Sequence, residues 1–231
     1  MSELDPREQV RGAALWSLRT FRANLLAFIA LAAIVTAVQF LQQLSLRPLN
    51  DVVNECADPQ TPGQQAACEA ATSQALAPIL LTLLFAIVTL IVTVGVIRGA
   101  LRATRGQLVG FDALLDGYNL GRYLLFQLVY AFLVGFGILL CILPGLLVIF
   151  FFQLGPYYVL DRGMGVREAM TASAQAIRRN LAAAFLMTVL NALVLVLGGL
   201  FFGVLTLLTL PIATLFTAYL YRIFNDEPVA G

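Results

Sequence analysis

Two apolar stretches constrain this chain more than anything else in it: Tyr123 to Leu160 and Leu181 to Tyr221. Neither contains a charged residue, and each is roughly twice the ~20 residues that one helix needs to cross a bilayer core. Backbone placed in lipid must satisfy its own hydrogen bonds, so each stretch predicts a helical hairpin. Pro144-Gly145 splits the first stretch and Gly198-Gly199 the second, because proline and glycine are the strongest local punctuators. Two further apolar runs complete six predicted spans, at 24–44, 78–97, 123–143, 146–160, 181–197 and 200–221, with an outer loop at 45–77. The expected fold is an all-α polytopic transmembrane bundle in one domain, 1–231, with short interfacial helices. The composition agrees: 60% of the residues are hydrophobic and 12% charged, against roughly 45–50% and 25% in soluble domains.

Charge sets the expected orientation. Every basic residue is an arginine, and the net charge is +1. Arg7, Arg11, Arg19 and Arg22 precede the first span. Arg98, Arg102, Arg105 and Arg122 lie between the second and third, Arg162, Arg167, Arg178 and Arg179 between the fourth and fifth, and Arg222 follows the sixth. Only Arg47 falls on the other side, so both termini are expected in the cytoplasm of a cell that carries this protein in its cytoplasmic membrane. The first apolar run is too long for a cleavable leader and follows a long charged segment, so it reads as a retained helix. A balance near zero gives no footprint for nucleic acid. The absence of histidine and lysine removes the usual neutral-pH base, the commonest metal ligand and Schiff-base chemistry. No cofactor and no metal site is expected.

The outer loop carries Arg47, Asp51, Glu55, Asp58 and Glu69 together with Cys56 and Cys68. On an oxidising face those two cysteines are a candidate disulfide, worth about 3 kcal/mol in loop entropy; two free thiols are the alternative. The other two outer turns, around Leu140–Leu146 and Leu197–Leu200, lack charged side chains, so the Cys56–Cys68 loop is expected to fold over them as a lid. Cys141 reads as a small packing residue.

Two amphipathic segments lead into spans. Asp5-Pro6-Arg7-Glu8 starts a helix with a capping residue and a first-turn proline. Gly165 to Arg179 places Val166, Ala169, Met170, Ser173, Ala176 and Ile177 at helical spacing, along the inner leaflet. Ser173 is expected to bond back to its own helix, with contact to a headgroup or a neighbouring span as the alternative. The two segments match without a gap: Val10-Arg11, Ala13, Ser17, Arg22, Asn24 and Leu25 against Val166-Arg167, Ala169, Ser173, Arg178, Asn180 and Leu181. This suggests an internal repeat. Leu101 to Leu115, ending at Asp116-Gly117, is a weaker amphipathic stretch that does not fit the pattern cleanly.

No charged residue lies well inside a predicted span, which weakens ion-coupled transport and intramembrane acid–base catalysis. Neutral polar groups remain: Gln127, Tyr130, Gln153, Tyr157, Tyr158, Thr188 and Asn191. Either they are hydrogen-bonding glue between helices, or Gln127, Tyr130, Gln153, Tyr157 and Asn191 form a polar cavity for a lipid headgroup or solute. Gly95-x-x-x-Gly99 and Gly199-x-x-x-Gly203 have close-packing spacing, and Pro156 and Pro211 are candidate kinks in the fourth and sixth spans. Arg98, Arg102, Arg105, Arg178 and Arg179 form a candidate basic inner face, facing anionic phospholipid or an unidentified protein partner.

Ile142-Leu143-Pro144-Gly145, Pro156-Tyr157-Tyr158-Val159-Leu160-Asp161-Arg162-Gly163, and Gly165-Val166-Arg167-Glu168-Ala169-Met170 followed by Ser173 and Asn180 resemble a group of uncharacterised bacterial integral membrane proteins. That group is akin to the membrane domain attached to some glycerophosphodiester phosphodiesterases. The resemblance spans about Ile142 to Asn180, and Ala174 stands where a large aromatic residue is expected. It implies a six-helix protein of the cytoplasmic membrane with no agreed activity, and it transfers no catalytic residue.

Three functions remain open from the residues: a non-catalytic scaffold or accessory factor in an envelope or lipid-related process, a transporter or lipid-handling protein, and an inner-interface enzyme using Asp112, Asp116 or Asp161. These acids read more simply as caps or turn residues.

Overall fold

The computed structural model describes residues 5–56, 76–110, 117–200 and 205–230. Among them every regular element is a helix: α1 (Pro6–Ala23), α2 (Leu25–Cys56), α3 (Leu76–Thr104), α4 (Leu120–Leu140), α5 (Ile142–Phe152), α6 (Gly155–Arg162), α7 (Val166–Arg179), α8 (Leu181–Leu200) and α9 (Thr206–Phe224). Six helical segments are long and apolar enough to cross a membrane: Leu25–Ser45, Leu80–Thr104, Leu120–Leu140, Ile142–Arg162, Leu181–Gly198 and Leu207–Phe224. The protein is therefore an all-α, multi-pass membrane protein.

The span boundaries differ from those expected. Helix α2 continues to Cys56, so the segment from Ser45 to Cys56 is helical rather than loop. Cys68 and the rest of the expected lid lie outside the described residues. The third span ends at Cys141, not at Pro144-Gly145: Cys141 alone is extended (φ −172°, ψ 144°), and Pro144 sits in the first turn of α5. A first-turn proline costs no hydrogen bond, because its missing N–H would have had no partner there. Gly145 has a packing role instead. A Cβ on Gly137 would stand 2.8 Å from the Gly145 backbone nitrogen, so the α4–α5 hairpin closes backbone on backbone. Helix α8 likewise runs through Gly198 and Gly199.

The fourth span is broken. Helix α5 stops at Phe152, Gln153-Leu154 form a turn, and α6 restarts at Gly155 with Pro156 in its first turn. Proline biases the preceding residues away from continued helix and interrupts the backbone ladder. Gly155 lets the Phe126 ring of α4 lie directly against the restart, a space that any Cβ would fill.

The hairpins interlock in cyclic order. Helix α1 lies mainly on α9 and α8 rather than on the α2 it leads into; its Trp16 ring stands 5.4 Å from that of Tyr219. Helix α7 lies mainly on α6 and α5. The segment after α3 turns at Gly106 (φ 71°). It sets Val109 against Gly99 of α3, where Phe28 and Leu31 of α2 also meet, and the Tyr118 carbonyl accepts a bond from Arg98. Each leading segment therefore rests on the hairpin before it, with α1 closing the ring on the last.

The expected repeat has a matching local structure. Ala13, Ser17 and Phe21 are buried on α1, and their counterparts Ala169, Ser173 and Ile177 are buried on α7. Asn24 and Asn180 end their helices with similar backbone angles (φ −117°, ψ 30°; φ −127°, ψ 40°). Each donates its side-chain amide to the carbonyl four residues back, at 3.2 and 3.0 Å. Asn119, in the left-handed region at φ 60°, stands before Leu120 in the same Asn-Leu order at the start of α4.

Candidate functional site

The charged residues that the fold brings together lie at the arginine-rich end of the bundle, where α3, α6 and α9 finish. Their centre is Asp161, the last acidic residue before α6 ends. Arg222 of α9 grips it with two bonds, Nη1 to Oδ2 at 2.9 Å and Nη2 to Oδ1 at 2.8 Å. The side chains are 6% and 3% exposed, Arg222 and Asp161 respectively. Tyr221 donates its hydroxyl to Asp161 at 3.1 Å, and the half-exposed Arg105 beyond α3 reaches the same carboxylate. Arg222 Nε bonds Thr104 at 3.2 Å. A bidentate guanidinium–carboxylate pair is the strong form of such an interaction, and burial makes it costly to break: Asp161 without Arg222 keeps only the half-exposed Arg105, and Arg222 without Asp161 keeps only Glu227.

The segment after α9 completes the cluster. Asp226 at φ 56° turns the chain back, and Glu227 accepts bonds from Arg222 and Arg162. Burial pushes the Glu227 carboxyl up, but hydrogen bonds from Arg222 and Arg162, with their charges, hold it below the ordinary carboxylate range. Ala230 donates to the Thr104 carbonyl at 2.9 Å and accepts from Trp16 Nε1 at 2.7 Å, which ties the ends of α3 and α9 to α1. Aromatic faces line the inside: Tyr158 and Tyr221 meet edge-on at 4.9 Å, and the Arg162 guanidinium lies 5.3 Å from the Tyr158 ring centre.

A second centre satisfies the break in the fourth span. Ser173 of α7 donates to the Phe151 carbonyl at 2.8 Å and accepts the Leu154 N–H at 3.2 Å. The expectation that Ser173 bonds to its own helix is corrected here: the break exposes unpaired backbone groups, and a buried hydroxyl is placed to pair them. Its counterpart Ser17 does bond back, to the Ala13 carbonyl at 2.6 Å, because α1 faces no such break.

The five polar residues expected to form a cavity separate. Gln153 donates to Thr188 of α8 at 2.8 Å and to the Phe150 carbonyl at 3.0 Å. Tyr157 bonds the Thr214 carbonyl at 3.3 Å, and Asn191 bonds Thr217 at 2.9 Å. Tyr130 stacks on Phe126 at 6.0 Å, and Gln127 keeps a buried side-chain oxygen without a hydrogen-bond partner. Asn191 borders a cavity of about 160 Å³ between α1, α8 and α9; the other four do not.

The expected basic face also divides. Arg98 is buried, Arg105 belongs to the ion-pair cluster, and Arg102 is half-buried. Arg178 and Arg179 stay exposed, with Arg178 5.6 Å from the Phe151 ring centre. Asp112 and Asp116 lie outside the described residues, and Asp161 is an ion-pair hub. Sequence reasoning passed over the Asp161–Arg222 pairing. The available signal was an acid and an arginine, each directly at the polar end of an apolar helix. Among the described residues no three His, Cys, Asp or Glu side chains gather as metal ligands.

Fold and cluster together define a multi-pass helical membrane protein whose arginine-rich end is closed by a buried ion-pair lock. Comparison with protein-family models, with curated proteins and with solved structures finds no match.

Proposed function

We propose that this chain is a non-catalytic scaffold or accessory protein of the bacterial cytoplasmic membrane, serving an envelope or lipid-related process, with both termini in the cytoplasm. The observation that carries this reading is the saturation of Asp161. Its two oxygens are occupied by Arg222, Arg105 and Tyr221. A general base needs a lone pair directed at substrate, and this carboxylate is spent on joining three helices. The resemblance to the membrane domain of glycerophosphodiester phosphodiesterases fits the same reading, because that domain is separate from the catalytic one. The arginine distribution supports the orientation, and Cys56 with Cys68 then form a disulfide on the outer side.

Native mass spectrometry of the protein released from its own membrane in mild detergent tests the proposal. A stoichiometric protein partner is expected. A bare monomer, or a stoichiometric water-soluble solute retained in place of a partner, would count against it. A second reading, lipid handling, is favoured by one feature, the cavity beside Asn191.

A further inference from the structure

We propose that the cavity between α1, α8 and α9 is a binding site for one acyl chain of an anionic phospholipid. The cavity measures about 160 Å³, and its walls include Leu18 of α1, Val194 of α8, and Ile212 and Phe216 of α9. Only two polar side chains border it, and each donates to the protein: Ser17 to the Ala13 carbonyl and Asn191 to Thr217. Water needs two to four polar partners to stay in such a space, whereas dry apolar cavities of this size take hydrocarbon. Leu18 is 45% exposed, so the cavity opens beside α1 at the flank of apolar helices, where the surrounding medium is lipid.

Charge on the same helix selects the lipid. Arg11, Leu18 and Arg22 are spaced seven and four residues apart, which places them along one side of α1. Both arginines are exposed. An acyl chain entering beside Leu18 thus passes under a stripe that carries a guanidinium on either side, suited to a phosphodiester headgroup. The site does not rest on the scaffold reading; a permanently held lipid would serve a scaffold or a lipid-handling protein equally.

The test uses the full chain in vesicles of phosphatidylcholine containing a minority of phosphatidylglycerol that bears a photoactivatable group in its acyl chain. Crosslinks are expected to concentrate on α1, α8 and α9 around the cavity. Val194→Phe, which fills the cavity, should lower that crosslinking about tenfold, the equivalent of roughly two buried methylenes. Val196→Phe, at an exposed position of α8, should leave it unchanged. The Arg11→Gln/Arg22→Gln pair should abolish the preference for phosphatidylglycerol over a phosphatidylcholine probe of the same design. Wild-type crosslinks spread evenly over exposed positions such as Leu128, Phe132 and Leu195 would overturn the proposal whether or not the variants fold. So would an unchanged yield in a folded Val194→Phe protein.

Discussion

Arg222 holds Asp161, 61 residues before it in the chain, through two parallel hydrogen bonds at 2.8 and 2.9 Å that join α9 to α6. Each side chain is nearly inaccessible, so neither charge can turn to water when its partner is removed. Asp161→Asn and Arg222→Met should each destabilise the protein by about 3–5 kcal/mol. The Asp161→Leu/Arg222→Leu double variant should lose less than either single one, because it removes both buried charges together. Reversible unfolding in mixed micelles measures all three.

Ser173 offers a sharper test of the broken span. Ser173→Ala strands the Phe151 carbonyl and the Leu154 N–H, which should cost about 1–3 kcal/mol. Ser17→Ala removes only a bond to its own helix, so its effect should be smaller by about 1 kcal/mol or more. Equal effects at the two positions would show that the break needs no clamp.

Much of this architecture was legible in the sequence, and the failures have physical causes. Six spans follow from apolar length alone, because lipid leaves the backbone no alternative to helix. The turn between the third and fourth spans was misplaced, because Pro144 looks like a breaker yet suits a first helical turn, and the residue that breaks is Cys141. The repeat was visible in Ser17, Ser173, Asn24 and Asn180. Which surface each leading helix covers was not, since α1 closes on a hairpin nearly 200 residues later. Asp161 and Arg222 each stand out in the sequence, but their pairing does not, because periodicity within a helix says nothing about which helix ends meet.

The ion pairs of Glu227 predict a pH dependence with a definite sign. Its folded carboxyl lies below the unfolded value of about 4.3. The stabilisation is therefore complete above that value and is lost as pH falls through the lower folded one. As pH falls below the unfolded value of about 4.3, the wild type should lose more stability than Glu227→Gln. Trp16 fluorescence reports the event locally, because the segment that carries Glu227 also accepts the indole N–H at Ala230.

The cysteines test the outer face. Cys141 is free and exposed at the end of the bundle opposite the ion-pair cluster. A membrane-impermeant maleimide added to intact cells should label Cys141 alone before reduction. After reduction of the unfolded protein all three thiols should react. Three labelled thiols without reductant would remove the proposed Cys56–Cys68 disulfide.

The most direct test is complementation, in a deletion strain with a scorable phenotype, by the Asp161→Leu/Arg222→Leu protein, with its membrane abundance measured in parallel. If the cluster is a structural lock in a non-catalytic protein, a double variant that accumulates to normal levels should restore the phenotype. Normal accumulation with no restoration would contradict that reading and return Asp161 to the role of a reacting group.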